Sequence, residues 1–131
     1  MKKLKGLIIV LSILLSLFGL TACSGNNNNS YKQITPQEAK AIMDTENDYI
    51  IIDARTTEEF AEGHIENAIL IPEYEIAERA KKELPYKDVL ILVYCRSGRR
   101  SKIASEELVK LGYSNVKEFG GIIDWPYEIV K

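Results

Sequence analysis

The apolar positions of this chain fall in short blocks, and the spacing inside each block changes along the sequence. "YIIID", Tyr49 to Asp53, is an unbroken β-rich run of the kind buried on both faces of a sheet. "AILIP", Ala68 to Pro72, predicts a second buried strand. Val89 to Tyr94 predicts the strongest one, with no polar residue before Tyr94. "VKEF", Val116 to Phe119, reads as a last short strand ahead of Gly120-Gly121. Between these runs the spacing turns helical. In Thr35-Pro-Gln-Glu38, Thr35 can cap, Pro36 suits the first helical position and Glu38 completes a capping box; Ala39, Ile42 and Met43 continue the pattern. A second box, Thr56-Thr-Glu-Glu59, opens a short helix that Gly63 ends, and Glu73 to Leu84 has helical composition closed by Pro85. Ser101 to Leu111 predicts an amphipathic helix with Ile103, Ala104, Leu108 and Leu111 inward and Gly112 placed to cap it. Strands alternating with helices in this way argue for an α/β fold, a small, mostly parallel central sheet flanked by helices on both faces.

The first residues stand apart from this pattern. Three lysines (Lys2, Lys3, Lys5) precede an apolar stretch from Gly6 to Leu20, shorter than the roughly 20 residues that cross a bilayer. Length, flanks and small-residue exit match a secretory signal peptide over residues 1–22. Leu20-Thr21-Ala22-Cys23 resembles the lipobox of bacterial lipoproteins, which implies cleavage before Cys23 and a lipid on its sulfur; the alternative is an uncleaved anchor with Cys23 bare. Either way the remainder is expected outside the cytoplasm, lipid-anchored to the cell membrane in the first case. Residues 23–30 continue as a polar tether, "SGNNNNS", and 31–131 are enough for one small domain with a single core. Setting aside Lys2, Lys3 and Lys5 leaves 14 basic against 19 acidic residues, a formal charge of −5. An acidic domain without a basic stripe argues against nucleic acid as a partner, and a monomer is expected.

Cysteine usage then singles out one position. With Cys23 lipidated, Cys95 is the one thiol left, unpaired in a compartment where disulfides are normal. It ends the strongest strand, and "CRSGRRS" carries the chain into a helix. Ligand sites in such sheets form at the carboxyl ends of strands. A helix start offers free N–H groups and a positive dipole end, Gly98 permits a tight loop, and Arg96, Arg99 and Arg100 add permanent charge. Surroundings of this kind lower a thiol's pKa. The loop is built to hold a thiolate beside an oxyanion. Cysteine phosphatases share this design but place five residues between cysteine and arginine. Here four residues separate Cys95 from Arg100, and Ser101 stands where that arginine belongs. The shorter loop makes a smaller cradle, matched to a cysteine carrying one extra sulfur.

Three segments together resemble the single-domain rhodanese (sulfurtransferase) family over essentially all of Tyr31 to Lys131. "IIDARTTEEFAEGHIENAILIP" is similar to its first signature, through Asp53-Ala54-Arg55, Glu58-Glu59-Phe60, Gly63-His64-Ile65 and Asn67-Ala68. "VYCRSGRRS" is similar to the active-site loop, with Cys95, Gly98, Arg100 and Ser101 in register, and Gly120-Gly121 with Trp125 resembles the closing segment. Ile122 departs from the aromatic residue many members carry there. The resemblance implies a rhodanese-like fold and a ping-pong transfer. In it Cys95 takes sulfur from a small sulfur-containing anion such as thiosulfate and passes it, as a persulfide, to a thiol or cyanide. Substrate binding falls to Arg96, Ser97, Gly98, Arg99, Arg100 and Ser101. Neither metal nor other cofactor is expected, since one histidine and one free cysteine do not make a metal site. Two other readings stay open: a sulfane-sulfur carrier, sensor or binding module of the same fold without turnover, and a cysteine-dependent phosphatase.

Other residues divide between chemistry and support. Arg55 either reaches the pocket to bind the substrate anion or pairs with a carboxylate and braces the loop. Asp53 reads as structural, His64 as a turn residue whose imidazole bonds backbone, Ser101 as the cap of the site helix, and Trp125 and Tyr127 as core or rim.

Overall fold

The computed structural model describes residues 30–131. The signal sequence, the lipobox and Cys23 therefore lie outside the described residues. Five strands, β1 (Lys32–Gln33), β2 (Tyr49–Asp53), β3 (Ile69–Leu70), β4 (Leu90–Cys95) and β5 (Val116–Gly121), form one sheet in the order β1-β5-β4-β2-β3, and every pairing is parallel. Four helices cover it: α1 (Pro36–Thr45), α2 (Thr57–Glu62), α3 (Ile76–Glu83) and α4 (Arg99–Lys110).

Alternation along β2 and β4 sorts side chains between two cores. Ile52, Ile91, Val93 and Cys95 pack with Ala80 of α3 and Ala104 and Leu108 of α4. Ile51, Leu92 and Tyr94 pack on the opposite face with Ala39 of α1, Phe119 and Trp125. Strand period two therefore fixes that Cys95 faces α4 while its neighbour Tyr94 faces α1.

Both predicted capping boxes form. Thr35 Oγ1 accepts from Glu38 N at 3.1 Å while Glu38 Oε2 accepts from Thr35 N at 2.9 Å. Thr56 and Glu59 repeat the exchange at the start of α2. No residue of α2 is fully buried. This helix is held by its caps and by what Glu59 reaches, with Phe60 stacked on His64 at 3.7 Å between ring centroids.

Three expectations need correction. "AILIP" is not a strand buried on both faces: β3 is the two-residue edge of the sheet, with no strand beyond it among the described residues, and Ile69 is exposed. Ile103 points outward. α4 begins two residues earlier than predicted, and its buried face is Ser101, Ala104, Ser105 and Leu108. Ser101 does not cap α4: Gly98 is the cap, at φ +103°, with Ser101 already in the first turn.

β5 is longer than "VKEF" and runs through the glycine pair. Val93 pairs with Glu118 but Cys95 pairs with Gly121, so β5 carries one residue more than β4 over this stretch. That β-bulge, with Gly120 at φ +90°, lies directly beside the end of β4.

Candidate active site

Cys95 closes β4 and is 1% exposed. The chain turns at once through Arg96-Ser97-Gly98 into α4, and the left-handed backbone of Gly98 bends its own N–H back to the sulfur. Gly98 N donates to Cys95 Sγ at 3.0 Å. The helix geometry leaves the N–H groups of the first turn of α4 without intrahelical partners, so a dipole end and free donors face the same spot. Ser101 Oγ stands 3.3 Å from the sulfur.

The loop sits directly on β5. A Cβ added to Gly121 would lie 2.5 Å from Ser97 N and closer still to the Arg96 carbonyl. Ile123 N donates to Arg96 O at 3.2 Å, which pins the loop to the segment after β5. The glycine pair is thus a floor that lets the loop lie against the sheet.

The three arginines have different duties. Arg96 and Arg99 are exposed and form no ion pair among the described residues. They leave cationic charge at the rim. Arg100 is half-buried and makes a two-pronged pair with Glu59, Nη1 to Oε2 at 2.7 Å and Nη2 to Oε1 at 2.8 Å. The Glu59 hydrogen bonds, opposed by desolvation, hold the Arg100 guanidinium above its ordinary pKa, with the charge of Cys95 adding in the same direction.

Arg55 follows its bracing alternative. Its Nη2 donates to Asp53 Oδ2 at 2.7 Å and to Gly63 O at 2.7 Å, and Nε donates to Asp53 Oδ1 at 2.9 Å. Burial opposes the charge, but hydrogen bonding and attraction to Asp53 overcome it and raise the Arg55 pKa. Asp53, fully buried, also accepts from Tyr94 Oη at 2.6 Å, and Tyr94 Oη accepts from Ile65 N at 3.1 Å. Burial first, then the Asp53 charge, push the Tyr94 phenol well above its usual range. This network ties the ends of β2 and β4 to the segment after α2. His64 Nδ1 lies 2.9 Å from Phe60 O, and Trp125 packs on Phe119 with Tyr127 edge-on against it.

Arg96, Ser97, Gly98, Arg99, Arg100 and Ser101 are therefore gathered around Cys95 as one loop and helix turn, with Arg55 set apart in its carboxylate pair. The sequence reading missed Glu118. This carboxylate on β5 is 2% exposed, and its Oε1 accepts from Ser101 Oγ at 2.7 Å and from Gly120 N at 2.8 Å. No group of three or more His, Cys, Asp or Glu among the described residues is arranged to hold a metal.

A nucleophile-bearing strand end, a nest of donors and a cationic rim fit a thiolate attacking an anionic substrate. Comparison with known proteins agrees. The Rhodanese-like domain family model matches residues 35–126. The thiosulfate sulfurtransferase PspE of Escherichia coli is 40% identical over 73 residues, covering 56% of this chain and 70% of that protein. A sulfurtransferase of Allochromatium vinosum is 41% identical over 88 residues, covering 66% and 79%. A solved E. coli structure described as a rhodanese with anions superposes with a TM-score of 0.60 at 37% identity, covering 63% of this chain and 98% of that one. With family model, relatives and fold in agreement, this chain belongs to the rhodanese-like family and is a rhodanese-like sulfurtransferase.

Proposed function

We propose that the protein moves a sulfane sulfur from a small anionic donor such as thiosulfate to a thiol, with cyanide as an acceptor in vitro. The observation that carries this reading is the Cys95 sulfur held at 3.0 Å by Gly98 N beneath a rim that leaves Arg96 and Arg99 uncommitted. The donor anion is drawn to that rim. The Cys95 thiolate attacks its outer sulfur, the sulfur–sulfur bond of the donor breaks, and sulfite leaves with the bonding pair. The new persulfide sits under the N–H groups of the loop, whose fixed dipoles need no reorganisation as charge moves outward. An acceptor thiolate then attacks the outer sulfur and releases Cys95. The proposal extends to place: lipid on Cys23 and the tether after it hold the domain at the outer side of the cell membrane, a reading supported by Leu20-Thr21-Ala22-Cys23.

Intact mass after incubation with thiosulfate tests the chemistry. One added sulfur, absent in Cys95→Ser and released as thiocyanate by cyanide, is expected. An unmodified Cys95 in a protein that hydrolyses an aryl phosphate would overturn it, and sulfur loading without thiocyanate release would reduce the protein to a carrier. Labelling of cells with palmitate tests the anchor, with Cys23→Ser expected to remain unlabelled.

A further inference from the structure

Glu118 is a buried carboxylate with no cationic partner among the described residues, and the transfer chemistry above makes no use of it. Removing a charge from water without a counter-charge is costly, so an ordinary packing role does not account for it. Its position is informative. Val116 and Glu118 share the face of β5 that looks toward α4, where Ser101 is fully buried.

Ser101 Oγ has one hydrogen and three acceptors in reach: Glu118 Oε1 at 2.7 Å, Gly98 O at 3.1 Å and Gly120 O at 3.4 Å. The shortest of these is also the charged one, and charge-assisted bonds are the stronger. With its hydrogen committed to Glu118, Ser101 presents a lone pair to Cys95, whose S–H donates across 3.3 Å. Gly120 N donates to the same Glu118 oxygen at 2.8 Å, and this fixes the carboxylate from the β5 bulge.

The geometry points to Glu118 as the proton acceptor for Cys95, acting through Ser101. The S–H bond breaks as a new O–H bond forms on Ser101, and the original Ser101 hydrogen passes to Glu118 Oε1. The sulfur keeps the electron pair, Ser101 ends unchanged, and the carboxylate becomes a carboxylic acid. The three-residue network holds one negative charge before and after. Glu118 is thus a positioning residue that touches no substrate. Other charged and titratable groups beside this network are Arg100 of α4, which feels Cys95 as well as its partner Glu59 and Asp53, and Tyr31 ahead of β1, which feels Glu118 as well as Glu106. Lys117, next to Glu118, lies on the alternate face of β5. The inference rests on the thiolate chemistry proposed above, and its test needs no sulfur donor, so the two readings fail separately.

The rate of Cys95 alkylation by iodoacetamide is measured against pH in the wild type, Glu118→Gln, Ser101→Ala and Ser101→Thr, with melting curves to establish folding. While the network holds one shared proton, the thiolate fraction depends on where that proton sits and not on pH. The wild type and Ser101→Thr should therefore hold a nearly constant rate from about pH 7 to about pH 5. Glu118→Gln keeps an acceptor oxygen for Ser101 but takes no proton, and its rate should fall about tenfold per pH unit over the same range. Ser101→Ala should fall likewise, and it decides the matter if Glu118→Gln does not fold. A wild-type rate with the same pH dependence as Glu118→Gln and Ser101→Ala, whether all fall or all stay constant, would overturn the inference.

Discussion

Arg100 and Glu59 form a two-pronged ion pair across 41 residues of sequence, and the same Glu59 carboxylate completes the capping box of α2. One side chain thus joins the segment after β2 to the loop that follows Cys95. Hydrogen bonding from Arg100 is the largest of the influences that hold Glu59 down from an ordinary value of 4.5 to about 2. A depressed carboxylate stabilises the fold fully above its unfolded pKa and loses that contribution as pH falls through the folded one. Solvent reaches both partners, so the pair contributes about 1–2 kcal/mol and not the full shift. Glu59→Gln should cost that much in urea unfolding at neutral pH. The gap from wild type should close between pH 4.5 and about 2. A gap independent of pH would show that the Glu59 charge contributes nothing to it.

Gly121 and Gly120 should respond differently to alanine. Gly121 has an ordinary φ of −124°, so its requirement is purely for space under the Arg96–Ser97 backbone. Gly121→Ala must displace the loop, and sulfur loading of Cys95 should fall by at least about tenfold, the usual penalty for a misplaced reacting group. Gly120 has a left-handed φ of +90° but nothing within 4 Å of a new Cβ. Gly120→Ala should cost about 1–2 kcal/mol of backbone strain, read in a melting curve. Loading rates per folded molecule should separate the two.

Tyr94→Phe removes a hydroxyl that both donates to Asp53 and accepts from Ile65 N. Two buried polar groups would be left short of a partner, and a loss of about 1–3 kcal/mol in denaturant unfolding is expected. The packing of Tyr94 against Phe119 survives the change, so a smaller loss would mean water replaces the hydroxyl.

Ser105→Ala should stabilise the protein. Ser105 Oγ is buried one turn beyond Ser101 and has no hydrogen-bond partner among the described residues. Alanine removes an unsatisfied group and is the better helix former, together about 1 kcal/mol. Urea midpoints of the two proteins decide it.

What the sequence disclosed follows from where its signals are local. Both capping boxes, the buried runs of β2 and β4 and the loop after Cys95 are written in adjacent residues, and all stand where expected. β1 was not legible: Lys32–Gln33 is a polar, exposed pair whose strand neighbour among the described residues is β5. The inward face of α4 was misjudged because apolarity selects Ile103, whereas the molecule buries Ser101 and Ser105. Glu118 escaped for a related reason. A carboxylate in "VKEF" reads as surface, and only its contact with Ser101, 17 residues earlier, gives it a purpose.

The makeup of α2 has a thermal consequence. This helix buries no residue completely and is closed by polar contacts from Thr56 and Arg100, whereas the sheet is sandwiched between two apolar cores. Heat capacity of unfolding comes chiefly from apolar surface, so opening of α2 alone carries little of it and global unfolding carries much. The strength of the cores follows a curved dome with temperature, while the α2 latch changes almost linearly. Cooling weakens the scaffold before it weakens the latch, and salt loosens the latch while leaving the scaffold largely untouched.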